Sequence, residues 1–302
     1  MRGWFRYLLF ASLVFLGVAL YKADYLVFPR VHSVPALAGS LACLFAGLIG
    51  DALSWRVVLG KSSYPVCVRE SIAAVGLTAF AKYIPGKIWA VMGRVAYVAE
   101  KRGYPVAQLT TLSITWQFIV VWLGLLFGAV GLLLLRAGWA WGWPVITGWL
   151  VLSAVIFSEV AHRIAVPVYK RLFAKHTDFP RLPPRETLVS LPWFIAVWTL
   201  LSAGFYLLTA SLSPGPVPFA TGLGLPLSIT LGILAVFSPG GIGVREGAVV
   251  GYLTLAGLPV QHATAISIAA RLWYLSGEVF MFGIGWAADS ALKRARLERK
   301  AA

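Results

Sequence analysis

Apolar runs long enough to cross a lipid hydrocarbon core, which takes about 20 helical residues, recur along nearly the whole chain. They cover 5–20, 35–55, 71–93, 107–135, 145–160, 189–210, 219–257 and 262–287. The stretches between them leave no room for a soluble domain, so residues 1–302 read as a single transmembrane domain. Only 12% of residues are charged, against about 25% in soluble domains. Within lipid, backbone polar groups must be satisfied by the chain itself, which here implies an all-α polytopic fold. Arg2 and Arg6 precede the first run, as in a signal peptide, but no A-x-A-like site follows and the run reads as a retained helix.

The formal net charge of +15 suggests nucleic acid at first sight. The bases, however, sit at the ends of apolar runs, where anionic lipid headgroups are the expected partners, and no nucleic acid is expected. Cys43 and Cys67 have no paired or metal-like spacing, and neither do the four histidines. No serine lies in a nucleophile-elbow context. The chain therefore reads as a non-enzyme with no cofactor and no metal site.

Two of the apolar runs are interrupted, one by Pro85-Gly86 and the other by Pro239-Gly240-Gly241, combinations that break helices. Lys and Arg concentrate in short cytoplasmic loops. The 161–188 loop carries six bases and the segment from Asp289 carries five, whereas 136–144 has one among Trp139, Trp141 and Trp143, and 211–218 has none. If 71–93 returns to the face it entered from, 19 bases lie inside and three outside; Lys82, Lys87, Arg245 and Arg271 remain within apolar runs. The fold expected is about six full spans plus two broken, re-entrant helical hairpins. The first hairpin enters from the cytoplasm and the second from outside, with both termini and a basic tail at 288–302 cytoplasmic.

The hairpins belong to an internal repeat. Pro85-Gly86 recurs as Pro239-Gly240, and Pro105-Val106 as Pro259-Val260, both at an offset of 154. Over 80–120 against 234–274, 12 of 41 positions are identical, where apolar composition alone gives roughly three or four. With the charge-derived topology, halves 1–135 and 145–287 form an inverted-topology repeat, an arrangement that recurs in transporters with broken helices. The turn residues repeat and the charges do not: Lys87 aligns with Gly241 and Arg94 with Ala248.

Within SPGGIGVREGAVVG at 238–251, Gly243, Gly247 and Gly251 recur every four residues, a spacing expected to form a close-packing helix face. Pro239, Gly240 and Gly241 should end one half-helix and open the next, whose N-terminus suits an anion. Arg245 there adds a two-pronged phosphate donor, or else pairs structurally with a carboxylate such as Glu278. In KYIPGKIWAVMGR at 82–94, Lys87 and Arg94 share a helix face and either guide a phosphate or snorkel to the interface. For Lys82, snorkelling is expected. Arg271, Tyr274 and Glu278 fall on one face of the last span, and intramembrane charges default to function. Candidate lipid-phosphate ligands are thus Lys87, Arg94, Arg245 and Arg271. Glu246, Glu278 and Asp51 are their charge partners, Asp51 also having Arg56 within reach along the helix.

The segments YIPGKIWAVMGR at 83–94, SPGGIGVREGA at 238–248 and RLWYLSGE at 271–278 resemble the transmembrane region of the lysylphosphatidylglycerol synthase/flippase family. The resemblance spans nearly the whole chain. It implies a polytopic bacterial inner-membrane protein that moves aminoacylated phosphatidylglycerol or related lipids between leaflets. Bifunctional members carry a C-terminal aminoacyltransferase domain, whereas here only 289–302 follows the last span. Synthase activity is therefore expected to be absent, and the substrate class widens to anionic or phosphate-bearing lipid. The first reading is a lipid flippase or scramblase. Its rivals are a membrane-embedded transferase on a lipid-phosphate carrier and a non-transporting partner of an envelope-lipid enzyme. Homo-oligomerisation stays open.

Overall fold

The computed structural model describes residues 30–84, 89–135, 139–157, 184–235 and 238–301. The apolar run 5–20, the residues Pro85, Gly86 and Lys87, and the basic loop up to residue 183 lie outside these. Among the described residues all regular structure is helical. The helices are α1 Val34–Lys61, α2 Val68–Leu77, α3 Trp89–Arg102, α4 Val106–Leu134, α5 Trp139–Phe157, α6 Pro184–Leu212, α7 Gly224–Leu234, α8 Val244–Leu255 and α9 Val260–Ala301. Short 3-10 turns occupy Ala79–Tyr83, Phe219–Leu223 and Pro239–Gly241. Among the described residues, three helical segments are long and apolar enough to cross a membrane: Val34–Lys61, Val106–Leu134 and Leu188–Leu212.

Local chemistry sets these boundaries. Ser33 caps α1, its hydroxyl accepting from the Ala36 N–H, and Pro35 sits in the first turn, where its missing N–H costs nothing. Cys67 and Glu70 cap α2 reciprocally: the Glu70 carboxylate accepts from the Cys67 N–H at 2.8 Å, and the Cys67 sulfur accepts from the Glu70 N–H. The 154-residue offset reappears in local geometry. Gly103 and Gly257 both have positive φ, and helices begin at Val106 and at Val260. Two boundaries differ from the sequence reading. Helix α9 continues through the basic segment to Ala301 rather than stopping near 287. Trp139, Trp141 and Trp143 belong to the opening turns of α5, where all three are exposed.

Helices do not gain hydrophobic free energy by leaving lipid for one another, so packing depends on close approach and interhelical hydrogen bonds. The α1 and α6 helices pack along their length, around the buried Leu44, Trp55, Phe194 and Phe205. Helices α2 and α9 approach nearest at Gly76 and Gly285, where a methyl group on Gly76 would overlap the Met281 carbonyl. The α1–α4 contact is held by a crossed pair of hydrogen bonds. Trp55 Nε1 donates to Ser113 Oγ at 3.0 Å, and Trp116 Nε1 donates to Ser54 Oγ at 2.8 Å. Each such bond contributes about 0.6 kcal/mol within a bilayer, and together they fix two indole rings that the site uses.

The glycine series at 243, 247 and 251 is not a packing face. Gly243 has φ 84° and precedes α8, while Gly247 and Gly251 are exposed, with nothing near where a Cβ would stand. Four-residue spacing aligns small residues on a helix, but it does not bring a neighbour to them.

Candidate functional site

The two helix breaks meet. The 3-10 turn Ala79–Tyr83 contacts the turn Pro239–Gly241, with the Tyr83 ring against Gly240 so closely that a side chain at 240 would strike it. The PGGIG run makes this possible through backbone that side-chain-bearing residues avoid: Gly240, Gly241 and Gly243 have φ of 61°, 73° and 84°. The turn is closed by the Gly241 N–H donating to the Ser238 carbonyl at 3.1 Å, and by the Ser238 hydroxyl donating to the Ile242 carbonyl at 2.6 Å. Helix α8 then begins, and the Glu246 carboxylate reaches back to accept from the Gly243 N–H at 2.6 Å.

Helix α9 ties both breaks together through one face, at i, i+3 and i+7. Glu278, 2% exposed, accepts from Tyr83 Oη at 2.7 Å and pairs with Lys82 Nζ at 2.6 Å. Arg271 lies 3.6 Å from Glu246, and its Nη1 donates to the Gly240 carbonyl at 3.5 Å. Its guanidinium stands 5.3 Å from the Tyr83 ring centre. Tyr274 lies between the two charges and receives Lys82 at 5.0 Å and Arg245 at 4.5 Å over its ring. The first break is thus bound to α9 by a carboxylate and the second by a guanidinium.

Beside this junction lies a cavity of about 370 Å³. Its polar lining includes Asp51, Lys82, Arg94, Arg245 and Glu278. The remainder is largely apolar, contributed by α1, α2, α4, α6 and α7 through residues such as Leu48, Val75, Val120, Phe194 and Ile229. Arg94 is buried with its guanidinium 4.5 Å from the Trp116 ring and 5.8 Å from that of Trp55, the two indoles set by the crossed serine bonds. Its Nε has no hydrogen-bond acceptor among the described residues. Arg245 rests its aliphatic stem on Gly232 and Gly241, where any side chain would collide with it. Among the described residues neither Arg94 nor Arg245 has a carboxylate within ion-pair distance, and Asp51 has no cation within that distance. Guanidinium groups on aromatic faces keep their N–H edges free for an acceptor.

Several sequence expectations change on this geometry. Lys82 does not snorkel to an interface; it pairs with Glu278. Glu278 is consequently not the partner of Arg245. Arg56 does not reach Asp51: its Nε donates to the Val66 carbonyl at 3.0 Å. Arg271 is buried behind the Tyr83–Gly240 contact and does not line the cavity. Lys87, Pro85 and Gly86 fall outside the described residues. Tyr83, Trp55, Trp116 and Gly232 escaped the sequence reading. Only their neighbourhood hinted at them, since Ser54-Trp55 and Ser113 with Trp116 place a small hydroxyl near an indole on each of two helices.

The family model of the lysylphosphatidylglycerol synthase TM region matches residues 4–277 of the 302-residue chain. No curated protein and no solved structure matches it. The chain belongs to the lysylphosphatidylglycerol synthase TM-region family and is a membrane protein with a lipid-related role.

Proposed function

We propose that this member of the family moves a lipid with an anionic, phosphate-bearing headgroup between the leaflets of a bacterial inner membrane, as a flippase or scramblase. One observation carries the reading: Arg94 and Arg245 project unpaired among the described residues into a cavity between helix breaks. The Asp51 carboxylate in the same lining acts on Arg94 only from beyond ion-pair distance. A buried cation without a closer partner is costly in a membrane, and a phosphate that accepts from both guanidiniums would offset that cost. The apolar remainder of the lining suits the glycerol end of a lipid, and the volume suits a headgroup rather than whole acyl chains.

In this reading the chain has six spans, and the two broken hairpins enter from opposite faces, the first from the cytoplasm. The repeat at offset 154 supports an inverted frame, and the unmatched charges supply an asymmetric site within it. Exchange of conformation between the halves then alternates access to the cavity. Both termini are cytoplasmic.

Purified protein in liposomes carrying fluorescent anionic, zwitterionic and polyprenyl-phosphate lipids tests this directly. Arg245→Lys keeps the charge but loses the fork, and exchange of the anionic lipid should fall about tenfold, with a greater fall for Arg245→Ala. Both variants should melt near wild type, because no carboxylate is stranded. A large loss of thermal stability with normal exchange per folded molecule makes Arg245 structural and defeats the proposal.

A further inference from the structure

Arg30 and His32, just before α1, and Gln261 and His262, in the first turn of α9, come from opposite ends of the sequence to line one open cavity of about 420 Å³. Leu212 and Pro259 supply an apolar side. The segment before α1 is pinned there by backbone, the His32 and Ser33 N–H groups donating to the Ser211 carbonyl at 2.7 and 3.3 Å. His262 Nε2 lies 3.2 Å from Ser213 Oγ. Helix α1 has 28 residues, about 42 Å at 1.5 Å per residue. Its far end reaches Tyr64, whose ring meets Tyr104 just beyond α3. The cavity therefore lies about a membrane thickness from the face that holds Lys101, Arg102 and Asp289.

Among the described residues, charge on this face is otherwise sparse. Of the three bases that the proposed topology leaves outside, Arg30 sits with the only two histidines among the described residues. The polar groups lining the cavity are Arg30 and His32 before α1 and Gln261 and His262 on α9, with the Ser213 hydroxyl beside His262; among the described residues no carboxylate lines it. A metal ion would be repelled by Arg30. A phosphate would meet one permanent cation, an amide donor and two imidazoles, each of which offers a second N–H donor and a positive charge once protonated.

We propose that this cavity is a second site, distinct from the central one, that docks the phosphate of a lipid headgroup in the leaflet opposite the basic tail and holds it more tightly on acidification. The leaflet assignment rests on the topology proposed above; the binding does not. Full-length protein in detergent is titrated with dihexanoyl phosphatidylglycerol at pH 5.5 and 7.5. Wild type should bind roughly fivefold more tightly at pH 5.5. The double variant His32→Gln, His262→Gln should bind alike at both pH values, and Arg30→Gln should weaken binding at both. Because Arg30 and His32 are exposed, Arg30→Gln and His32→Gln should each melt as wild type, the first binding more weakly at both pH values and the second with a smaller difference between them. Arg245→Ala should retain the pH-dependent component. If Arg245→Ala removes that component while the histidine variants keep it, this site is overturned and the central reading stands. If the histidine variants flatten the response while Arg245→Ala exchanges lipid normally, this site stands and the central reading fails. Competition by inorganic phosphate at concentrations equal to the lipid assigns a soluble anion and overturns the headgroup.

Discussion

Gly240 and Gly247 lie seven residues apart in one glycine-rich run, and their surroundings are opposite. At Gly240 φ is 61° and a Cβ would strike the Tyr83 ring, a residue 1% exposed and bonded to Glu278. Gly240→Ala should therefore cost about 2 kcal/mol, from backbone strain plus overpacking, and should also disturb the junction of the two breaks. At Gly247 the helix is regular and the space open. Gly247→Ala should stabilise by about 0.5–1 kcal/mol through helix propensity. Thermal melting of the two variants in one detergent separates these outcomes; destabilisation by Gly247→Ala would restore the close-packing face that the spacing suggested. The turn residues were legible in sequence because proline and glycine act locally. The partners were not, since Tyr83 meets Glu278 across 195 residues and only tertiary register decides which acid meets which base.

Among the elements, α3 is held at its C-terminal end by two sets of charges. Arg102 donates through Nε and Nη2 to the two Glu70 oxygens at 2.8 and 2.7 Å, tying α3 to the capped start of α2. Lys101 Nζ and Tyr97 Oη meet Asp289 Oδ1 at 2.5 and 2.7 Å, and Lys293 Nζ meets Oδ2 at 2.6 Å, tying α3 to α9. Burial pushes the Asp289 carboxyl up, but hydrogen bonds from Lys101, Lys293 and Tyr97 outweigh it and hold the group at about 2. A carboxyl depressed in the folded state stabilises fully above its unfolded value of about 3.9 and loses that contribution as pH falls through the folded value. Hydrogen exchange of residues 97–102, corrected for the intrinsic rate, should thus be unchanged from pH 8 to pH 5 and accelerate only toward pH 2. Asp289→Asn should accelerate it severalfold at pH 7, while exchange at the start of α2 stays slow. Equal acceleration at both places would show that the two ties act as one. The basic segment after residue 287 was legible as charge but not as helix, because Asp289 and its continuation owe their order to Tyr97 and Lys101 on another element.

At the scale of the whole molecule, composition and hydropathy made the helical membrane class legible, since lipid permits few alternatives. The cavity was legible only in part. Arg245 stood out as an intramembrane cation and Arg94 as a candidate phosphate ligand counted with the cytoplasmic bases, whereas the burial of Arg94, the rings beneath both, the cleft at Gly232 and the occupation of Glu278 by Lys82 emerge from packing between distant segments. Orientation rests on the distribution of bases, and it can be measured. With Cys43 and Cys67 replaced by serine, which also caps helices well at position 67, single variants Lys175→Cys and Gly215→Cys place one thiol on either side of α6. Gly215 is exposed with open space around it, and the intervening Leu188–Leu212 is long and apolar enough to cross. In intact cells a membrane-impermeant maleimide should label Gly215→Cys and leave Lys175→Cys untouched until the membrane is permeabilised. The reverse pattern would turn the chain over and put the six-base loop outside, against the pull of the membrane potential and of cytoplasmic anionic lipid. Labelling of both in intact cells would place the two loops on one face, so that α6 would not cross and the two halves would not be inverted.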